Sequence, residues 1–266
     1  MITAYHRPQT LDEALALLSR PNTLPLGGGT LLSHGTADPV EAVDLQALGL
    51  DSIKKNGNNL DIGATVTLQQ LLESEHCPPA LKSALKLEAP LNIRNSATVA
   101  GTLVTCDGRS TFACVLLALD AKIIMSGKQK AEETINIGDL LPLREQVRGK
   151  LITKIVLPLN VKLAFDTVAR TPSDKPIVCA AVAGWGSGRT RLAVGGYGKS
   201  PMLAMDGTPH PNPSPSGRGM PEGQGEGLEE AARNAFHEAT DEWASAEYRM
   251  DVAATLAKRC HEKLAG

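Results

Sequence analysis

The sequence predicts an α+β fold in which helices and strands mix without the regular strand–helix alternation of a doubly wound sheet. Two capping boxes, Thr10–Glu13 and Thr67–Gln70, each precede leucines at helical spacing. An Asn56–Gly57 pair separates two strand-like runs, as in a β-hairpin. After Pro158, further strand-like runs follow one another with no helix between them. These features predict antiparallel strands beside short helices.

The first fifty or so residues predict a helix, a strand, a loop and a second strand. The helix should cover about residues 11–19 and end before Pro21. The stretch "TLPL" is typical of a short strand that leads into three glycines, and "EAVDLQAL" contains the next strand around Val43 to Leu45. A glycine loop therefore follows the first of these strands.

The middle of the chain predicts short helices and then a strand-rich segment. A helix should run from Thr67 to about Glu73, and another is expected near residues 79–88. The apolar run "TFACVLLALDA" predicts a buried helix. The runs "AKIIMSG", "KQKAEETI" and "LITKIVLPL" predict strands.

The C-terminal part is expected to form a domain of its own. The runs "KLAFDTVART", "PIVCAAVAGWGSG" and "RTRLAVGGYG" predict a three-stranded antiparallel sheet. After it, one or two helices should form a bundle in which Tyr248, Val252 and Leu256 share a face. We therefore expect one domain at 1–160, with subdomains of about 1–50 and 51–160, and a second at 161–266.

One segment of the C-terminal domain has a composition that cannot support a packed core. Residues 207–227 hold five prolines and six glycines, so these two types fill eleven of twenty-one positions. Hardly any apolar side chain is present to anchor the segment. We expect a disordered surface loop there.

Bulk composition describes an ordinary cytoplasmic protein. A chain of 266 residues exceeds what one core usually supports, and 42% hydrophobic with 21% charged residues is typical of globular domains. The start "MITAYHRPQTLDEA" lacks the pattern of a secretory signal, and no apolar run predicts membrane insertion. A formal net charge of −2 and 3% aromatic residues argue against a nucleic-acid partner.

The cysteines argue against a metal centre in this chain. There are five, an odd number, and no two are spaced as C-x-x-C. This arrangement fits neither a disulfide framework nor a zinc or iron–sulfur site. If the protein takes part in electron transfer, any metal must be on another subunit.

Two loops rich in small residues are the candidates for a binding site. "PLGGGTLLSHG" at 25–35 has three consecutive glycines, which give up ordering entropy at every position. "NSATVAGTLVTCDG" at 95–108 again offers small residues and hydroxyls. Together they could hold a diphosphate with their backbone N–H groups. Glycine turns that only serve the fold are the alternative for each loop taken alone.

Several better-known motifs fail on inspection. "VGGYGKS" at 194–200 resembles the end of a phosphate-binding P-loop, but Ala193 stands where the first glycine is required and Pro201 disfavours a following helix. A glycine turn after a strand explains it better. Neither glycine loop matches G-x-G-x-x-G, and no H-E-x-x-H or G-x-S-x-G is present. A Rossmann unit, a hydrolase and a metalloenzyme are therefore poorly supported.

In order and surroundings, the two loops resemble those of the FAD-binding medium subunit of the molybdenum hydroxylases, the family of xanthine dehydrogenase and carbon monoxide dehydrogenase. The family's first loop reads roughly A-G-G-T-[DS]-L and is matched by "GGGTLL" at 27–32. Its second reads roughly I-R-N-x-A-T-I-G-G-N and is matched by "IRNSATVAGT" at 93–102. "LLALDA", "RTPSDKPIV", "GGYG" and "SAEYR" are also similar, so the resemblance covers nearly the whole chain.

The resemblance implies a two-subdomain FAD-binding domain of the vanillyl-alcohol-oxidase-like type, followed by the C-terminal domain. In that family both loops hold the FAD diphosphate through backbone N–H groups, with the Thr30 and Thr98 hydroxyls as extra donors. The implied cofactor contacts are Pro25, Leu26, Gly27, Gly28, Gly29, Thr30, Leu31, Leu32, Thr98, Val99, Ala100, Gly101 and Thr102. On this hypothesis, valine at Gly28 or Gly101 should remove FAD and leave the fold largely intact.

The chain departs from the family pattern at positions that touch the implied site. Leu31 replaces an Asp or Ser, Ala100 replaces a glycine, and Thr102 replaces an asparagine. An aspartate common in the family falls on Thr111, which we keep as a candidate contact. Asp107, in "CDGRS", is a further candidate, with a solvated turn as its alternative.

The function implied by the resemblance is electron transfer. The subunit would take electrons from the iron–sulfur clusters of a 2Fe-2S small subunit and pass them to an external acceptor. Those clusters would receive the electrons from a molybdopterin-binding large subunit. The assembly would be a heterotrimer or its dimer. No side chain is expected to act as acid, base or nucleophile. The alternatives are a scaffold subunit that has lost tight flavin binding and, less well supported, a stand-alone FAD oxidase.

Overall fold

The structure, a computed structural model, describes residues 1–34, 38–127, 130–144, 147, 149–172, 174–208 and 227–265. These divide into two compact units that alternate along the chain. Unit 1 comprises Met1–Cys77, Ala89–Cys106 and Asp120–Leu159, and unit 2 comprises Pro78–Glu88, Asp107–Leu119 and Asn160–Gly266. The loop expected at 207–227 lies almost wholly outside the described residues.

Helices and strands are mixed, as the sequence predicted. The strands are β1 Ile2–His6, β2 Thr23–Leu26, β3 Val40–Asp44, β4 Ile53–Asn56, β5 Asn59–Gly63, β6 Lys122–Gly127, β7 Lys130–Asn136, β8 Lys150–Pro158, β9 Val161–Val168, β10 Val178–Trp185, β11 Thr190–Gly195 and β12 Met202–Gly207. The helices are α1 Leu11–Leu18, α2 Leu68–Glu73, α3 Pro79–Glu88, α4 Leu91–Arg94, α5 Val99–Thr105, α6 Thr111–Ala118, α7 Ile137–Leu143, α8 Leu228–Asn234 and α9 Ala246–Ala265. Within the described ranges, no helix has both the length and the apolar character needed to cross a bilayer.

Unit 1 begins with a small parallel sheet of order β1-β3-β2. Strand β2 lies at an edge, where the N–H group that Pro25 lacks is not needed for the ladder. Helix α1 starts at Thr10, whose hydroxyl accepts the N–H of Glu13 at 3.3 Å, and it buries Leu15 against Val43. The helix was predicted, whereas β1 was not.

The second sheet of unit 1 is antiparallel, with order β4-β5-β8-β6-β7. Gly57 has a φ of 58° in the turn between β4 and β5, which confirms the predicted hairpin. Thr67 and Gln70 form the predicted capping box at the start of α2. The three strands predicted in residues 121–159 are also confirmed.

Unit 2 contains an antiparallel sheet of four strands, in the order β12-β11-β10-β9. The prediction of three strands was wrong because β12, "MLAMDG", is short and runs directly into the proline- and glycine-rich segment. The sheet packs against α8 and α9 through a core that includes Val182, Val194, Phe236 and Leu256. Helix α6 is buried at all eight positions, as predicted.

Glu88 at the end of α3 caps the first turn of α6. Its Oε2 accepts hydrogen bonds from Ser110 Oγ at 2.9 Å, Thr111 Oγ1 at 3.1 Å and the Phe112 N–H at 2.8 Å. Burial of the carboxylate raises the pKa of Glu88, and the three hydrogen bonds oppose that rise without cancelling it. Unit 2 therefore favours the protonated form of this side chain more than the unfolded chain does.

We expect Glu88→Gln to gain stability relative to the wild type as the pH rises. Because the folded pKa lies above the unfolded one, the stabilisation is complete below the unfolded pKa of about 4.3 and is lost as the pH rises through the folded pKa. Glutamine keeps an acceptor oxygen but does not ionise. Denaturant melts at pH 4 and pH 8 measure the difference, with Glu73→Gln on the exposed end of α2 as control. Equal differences from the wild type at both pH values would contradict this expectation.

Candidate cofactor-binding site

The two glycine loops meet in unit 1. A Cβ at Gly28 would lie 1.6 Å from the carbonyl oxygen of Ser96, and one at Gly27 would lie 2.7 Å from Thr98 Oγ1. Both distances are below the 3.0 Å that real Cβ contacts respect, but the neighbour is backbone at Gly28 and a side-chain hydroxyl at Gly27. The approach of the second loop therefore requires a glycine at position 28 and favours one at position 27.

The first loop carries a run of unpaired backbone donors. The carbonyl of Leu26 accepts the N–H of Leu45 at 3.0 Å, and the ladder ends there. Within the described chain, none of the backbone N–H groups of 27–32 has an acceptor, and the next donor, Ser33, bonds to Gly29 O at 2.9 Å. Unpaired N–H groups in a partly buried loop are a capacity for binding an anion.

Gly29 gives the loop its turn. Its φ of 73° is in the left-handed region, and a Cβ there would meet only the Leu26 side chain, at 3.4 Å. The neighbouring Thr30 hydroxyl has no partner among the described residues, although the Thr30 carbonyl accepts the Ser33 hydroxyl at 3.1 Å. Thr30 can therefore add a side-chain donor to the N–H groups, as the sequence suggested.

The second loop differs, because the N–H groups that the sequence suggested as donors to the cofactor have acceptors within the chain. Residues 99–102 are the first turn of α5, which Thr98 caps, and their N–H groups are all engaged within the chain. The bonds are Val99 N to Val66 O at 2.8 Å, Ala100 N to Ala64 O at 3.3 Å, Gly101 N to Thr98 Oγ1 at 3.2 Å and Thr102 N to Thr98 O at 2.9 Å. This loop supports the first one rather than adding donors to it.

The hydroxyls of the second loop are part of the same support. Thr98 Oγ1 accepts the Gly101 N–H and lies against Gly27, and a Cβ at Gly101 would be 2.9 Å from that oxygen. Thr102 Oγ1 donates to Thr98 O at 2.9 Å. The threonine that replaces the family's asparagine thus stabilises α5.

Arg94 connects the segment before the second loop to helix α2 and to Ala89, and the sequence did not single it out. Its Nε donates to Gln69 Oε1 at 3.0 Å and its Nη1 to Ala89 O at 2.7 Å. Leu68 N also donates to Ala97 O at 2.9 Å. The start of α2 and the second loop are therefore joined, and no local pattern signals these long-range partners.

The remaining candidates, Asp107 and Thr111, belong to unit 2. Asp107 accepts the Arg109 N–H at 2.9 Å and forms an ion pair with Lys175 at 2.8 Å, so it shapes a turn. Thr111 is 0% exposed, and its single hydroxyl proton is shared between Ala84 O at 2.8 Å and Glu88 Oε2 at 3.1 Å. Thr111 therefore has no exposed surface in this structure.

The glycines of "VGGYGKS" serve a backbone contact inside unit 2. Gly196 and Gly198 have φ values of 131° and 77°. Gly108 N donates to Gly198 O at 2.9 Å, and a Cβ at Gly108 would lie 1.8 Å from Tyr197 O. This geometry supports the glycine-turn interpretation over the P-loop.

The chain has a mixed α/β fold, and its first glycine loop presents backbone N–H groups that have no acceptor among the described residues. Residues 1–160 match the FAD binding domain in molybdopterin dehydrogenase. The chain belongs to this family, and its cofactor is FAD. It is an FAD-binding oxidoreductase subunit of the molybdopterin dehydrogenase type, as the resemblance implied.

Curated relatives agree with this assignment. The chain is 27% identical over 221 residues to the glyceraldehyde dehydrogenase medium chain of Sulfolobus acidocaldarius, covering 76% of this chain and 78% of that one. It is 26% identical over 200 residues to the carbon monoxide dehydrogenase medium chain of Afipia carboxidovorans, covering 67% of each. A third relative, the 6-hydroxypseudooxynicotine dehydrogenase complex subunit alpha of Paenarthrobacter nicotinovorans, is 31% identical over 180 residues, which are 64% of this chain and 59% of that one.

Solved structures share the fold. A Cu,Mo-CO dehydrogenase in its cyanide-inactivated form superposes with a TM-score of 0.79 at 23% identity, covering 99% of this chain and 98% of that one. Quinoline 2-oxidoreductase from Pseudomonas putida 86 gives 0.78 at 21% identity, covering 98% and 96%. At these identities the likeness shows the fold alone.

Proposed function

We propose that this chain is the electron-transfer subunit of a molybdenum hydroxylase complex and binds the FAD diphosphate mainly with the first glycine loop. The observation that carries the proposal is the run of N–H groups at 27–32 with no acceptor in the described chain. When bound, FAD supplies the redox chemistry, because it accepts electrons singly or in pairs. The residues of this chain bind and orient it.

The proposed contacts divide into two kinds. Residues 25–32 provide backbone donors and the Thr30 hydroxyl, and the turn at Gly29 aims them toward one anion. Residues 98–102 contribute shape, because their own N–H groups hold α5 against the segment at 64–66. The first loop would therefore bind the charge of the diphosphate, and the second loop would shape the space beside it.

The proposed partners are a molybdopterin-binding large subunit and a 2Fe-2S small subunit, in a heterotrimer or its dimer. The relatives named as medium chains support this, since a medium chain implies other chains. All five cysteines are buried and no two are spaced as C-x-x-C, so the proposed iron–sulfur clusters would be held by a partner. We propose a cytoplasmic location, since none of the five cysteines is in a disulfide. Electrons would pass through FAD to an external acceptor.

A scaffold subunit that has lost tight flavin binding is the second candidate. The observation that favours it is the engagement of every N–H group of 99–102 within the chain, which leaves one loop to bind the diphosphate. A folded sample, assembled with its partners, separates the two candidates by titration with added FAD. Failure to bind FAD in such a sample would favour the scaffold.

Gly29→Ala should weaken FAD binding about tenfold or more, whereas Gly57→Ala should leave it unchanged. Both glycines have positive φ, so each alanine costs about 1–2 kcal/mol of backbone strain. Only Gly29 orients the unpaired N–H groups, and a tenfold change in Kd corresponds to about 1.4 kcal/mol. Flavin titrations and thermal melts of both variants measure the two effects separately. Equal FAD affinity in both would remove the first loop from the site.

A further inference from the structure

Trp243 is an exposed aromatic side chain on a rigid loop of unit 2. It is 41% exposed. Asp241 Oδ1 accepts the N–H groups of Trp243 at 2.8 Å and Ala244 at 3.2 Å. Beneath the loop, Arg249 is 0% exposed and donates to Ala244 O at 2.9 Å and to Asp241 at 2.7 Å. A buried arginine thus fixes a loop that presents a large apolar ring to solvent.

Two guanidinium groups lie over that ring. The Cζ of Arg109 is 4.6 Å from the Trp243 ring centroid, and that of Arg170 is 5.5 Å away. Arg109 is anchored through donation to Lys175 O at 2.6 Å and Pro176 O at 2.9 Å. Arg170 has no hydrogen bond or ion pair with any described residue. The ring therefore orients a cation whose five N–H donors have no acceptor among the described residues.

Arg170 also lines a cavity of about 270 Å³. Leu87, Pro172 and Pro176 form its apolar wall, and Asp174 contributes a carboxylate. The volume is slightly below the range of about 300–1,000 Å³ typical of small-molecule sites and suits one or two side chains. The carboxylate of Asp174 would repel a simple anion, whereas a polypeptide can donate backbone N–H groups to it.

We propose that Trp243, Arg170 and this cavity form the docking site for an acidic segment of a partner subunit. A carboxylate of the partner pairs with the Arg170 guanidinium, and an adjacent apolar side chain fills the cavity. The Trp243 ring packs against the bound segment of the partner subunit. Tryptophan and arginine side chains beside a pocket are the residue types that contribute most to protein interfaces. The inference rests on the proposed function, because it needs the chain to act within a complex.

Hydroxyl-radical footprinting read by mass spectrometry tests the site directly. Trp243 should be oxidised at least fivefold more slowly in the isolated complex than in the free chain, while Tyr5, on unit 1 and 57% exposed, serves as a reference. Equal oxidation of Trp243 in both samples would overturn the proposal. Protection that appears in the free chain as its concentration rises would also overturn it, since the occupant would then be a second copy.

A matched pair of variants tests the charge. Arg170→Gln and Arg189→Gln each remove a guanidinium from above a tryptophan, but Arg189, 5.0 Å from the Trp185 centroid, already pairs with Asp206 at 2.7 Å. Native mass spectrometry of a dilution series measures the concentration at which the complex loses its partner. This concentration should be at least tenfold higher than in the wild type for Arg170→Gln and within twofold of the wild type for Arg189→Gln. An unchanged Arg170→Gln complex would overturn the proposal. Flavin content of the same samples is expected to stay constant, and its absence from the wild type would count against the proposed function alone.

Discussion

Gly28→Val is expected to destabilise unit 1 rather than simply to remove FAD. A Cβ at this position would lie 1.6 Å from the carbonyl oxygen of Ser96, so the two loops would have to separate. Overpacking of a well-filled site typically costs about 1–3 kcal/mol and more where backbone must move, so we expect about 3 kcal/mol or more. This corrects the expectation from sequence that the fold would survive the change.

Circular dichroism melts beside flavin titrations on the same samples measure both effects. Flavin content should fall in proportion to unfolding, with Tm lower by about 10 °C. Gly186→Val is a matched control, because a Cβ there meets no atom within 4 Å. A Gly28→Val protein with the wild-type Tm and no FAD would restore the view that the glycine serves only the ligand.

Gly101→Val should be milder than Gly28→Val. The nearest atom to its Cβ is the Thr98 hydroxyl oxygen, at 2.9 Å, which belongs to a side chain and not to backbone. Rotation of that hydroxyl away from α5 would cost the helix its cap, a loss of about 1 kcal/mol. The two glycines were equivalent in the sequence, and only the identity of the neighbouring atom separates them.

Local chemistry was predictable because it depends on residues a few positions apart. The caps at Thr10 and Thr67 and the turn at Gly57 are all present where the sequence placed them. Strand β1 was missed because it is short and mostly exposed, and β12 was missed because its six residues show no clear alternation and run directly into the proline- and glycine-rich segment. Their place in a sheet is set by the neighbouring strand, which a single sequence does not reveal.

The sequence suggested that the two loops lie together, and they do, but it did not reveal how the N–H groups of each loop are bonded. A run of glycines allows close approach of either a ligand or another stretch of backbone, and the sequence pattern is the same in both cases. The N–H groups of Val99 and Ala100 are engaged by Val66 and Ala64, more than thirty positions away. Thr111 stands where the family commonly has an aspartate, and its hydroxyl bonds to a carbonyl inside unit 2. A role inferred from the family's residue type need not apply where that residue type has changed.

The ion pair between Arg249 and Asp241 makes the free energy of unfolding of unit 2 depend on pH. Burial acts to raise the pKa of Asp241, but hydrogen bonds from Arg249 and from the Trp243 and Ala244 N–H groups prevail, so the pKa is lowered. The stabilisation is therefore present above the unfolded pKa of about 3.9 and is lost as the pH falls through the folded value. Acid should loosen the loop at 239–245 before it affects the sheet.

Arg249→Met should destabilise unit 2 by about 3 kcal/mol or more at pH 7, since each buried carbonyl left without its donor costs about 1–3 kcal/mol. The loss is large because Arg249 is 0% exposed and bonds the Ala239 and Ala244 carbonyls as well as Asp241. Arg233→Met is the matched control, since its pair with Asp251 is on the surface and should cost no more than about 1 kcal/mol.

Denaturant unfolding of both variants at pH 7 and pH 3 measures the cost and its dependence on acid. The difference between Arg249→Met and the wild type should shrink at pH 3, because protonation of Asp241 removes the charge that Arg249 stabilises. A difference that stays constant with pH would assign the whole effect to the two carbonyls. Equal costs for Arg249→Met and Arg233→Met would contradict a structural role for the buried guanidinium, and with it the rigidity of the loop that presents Trp243.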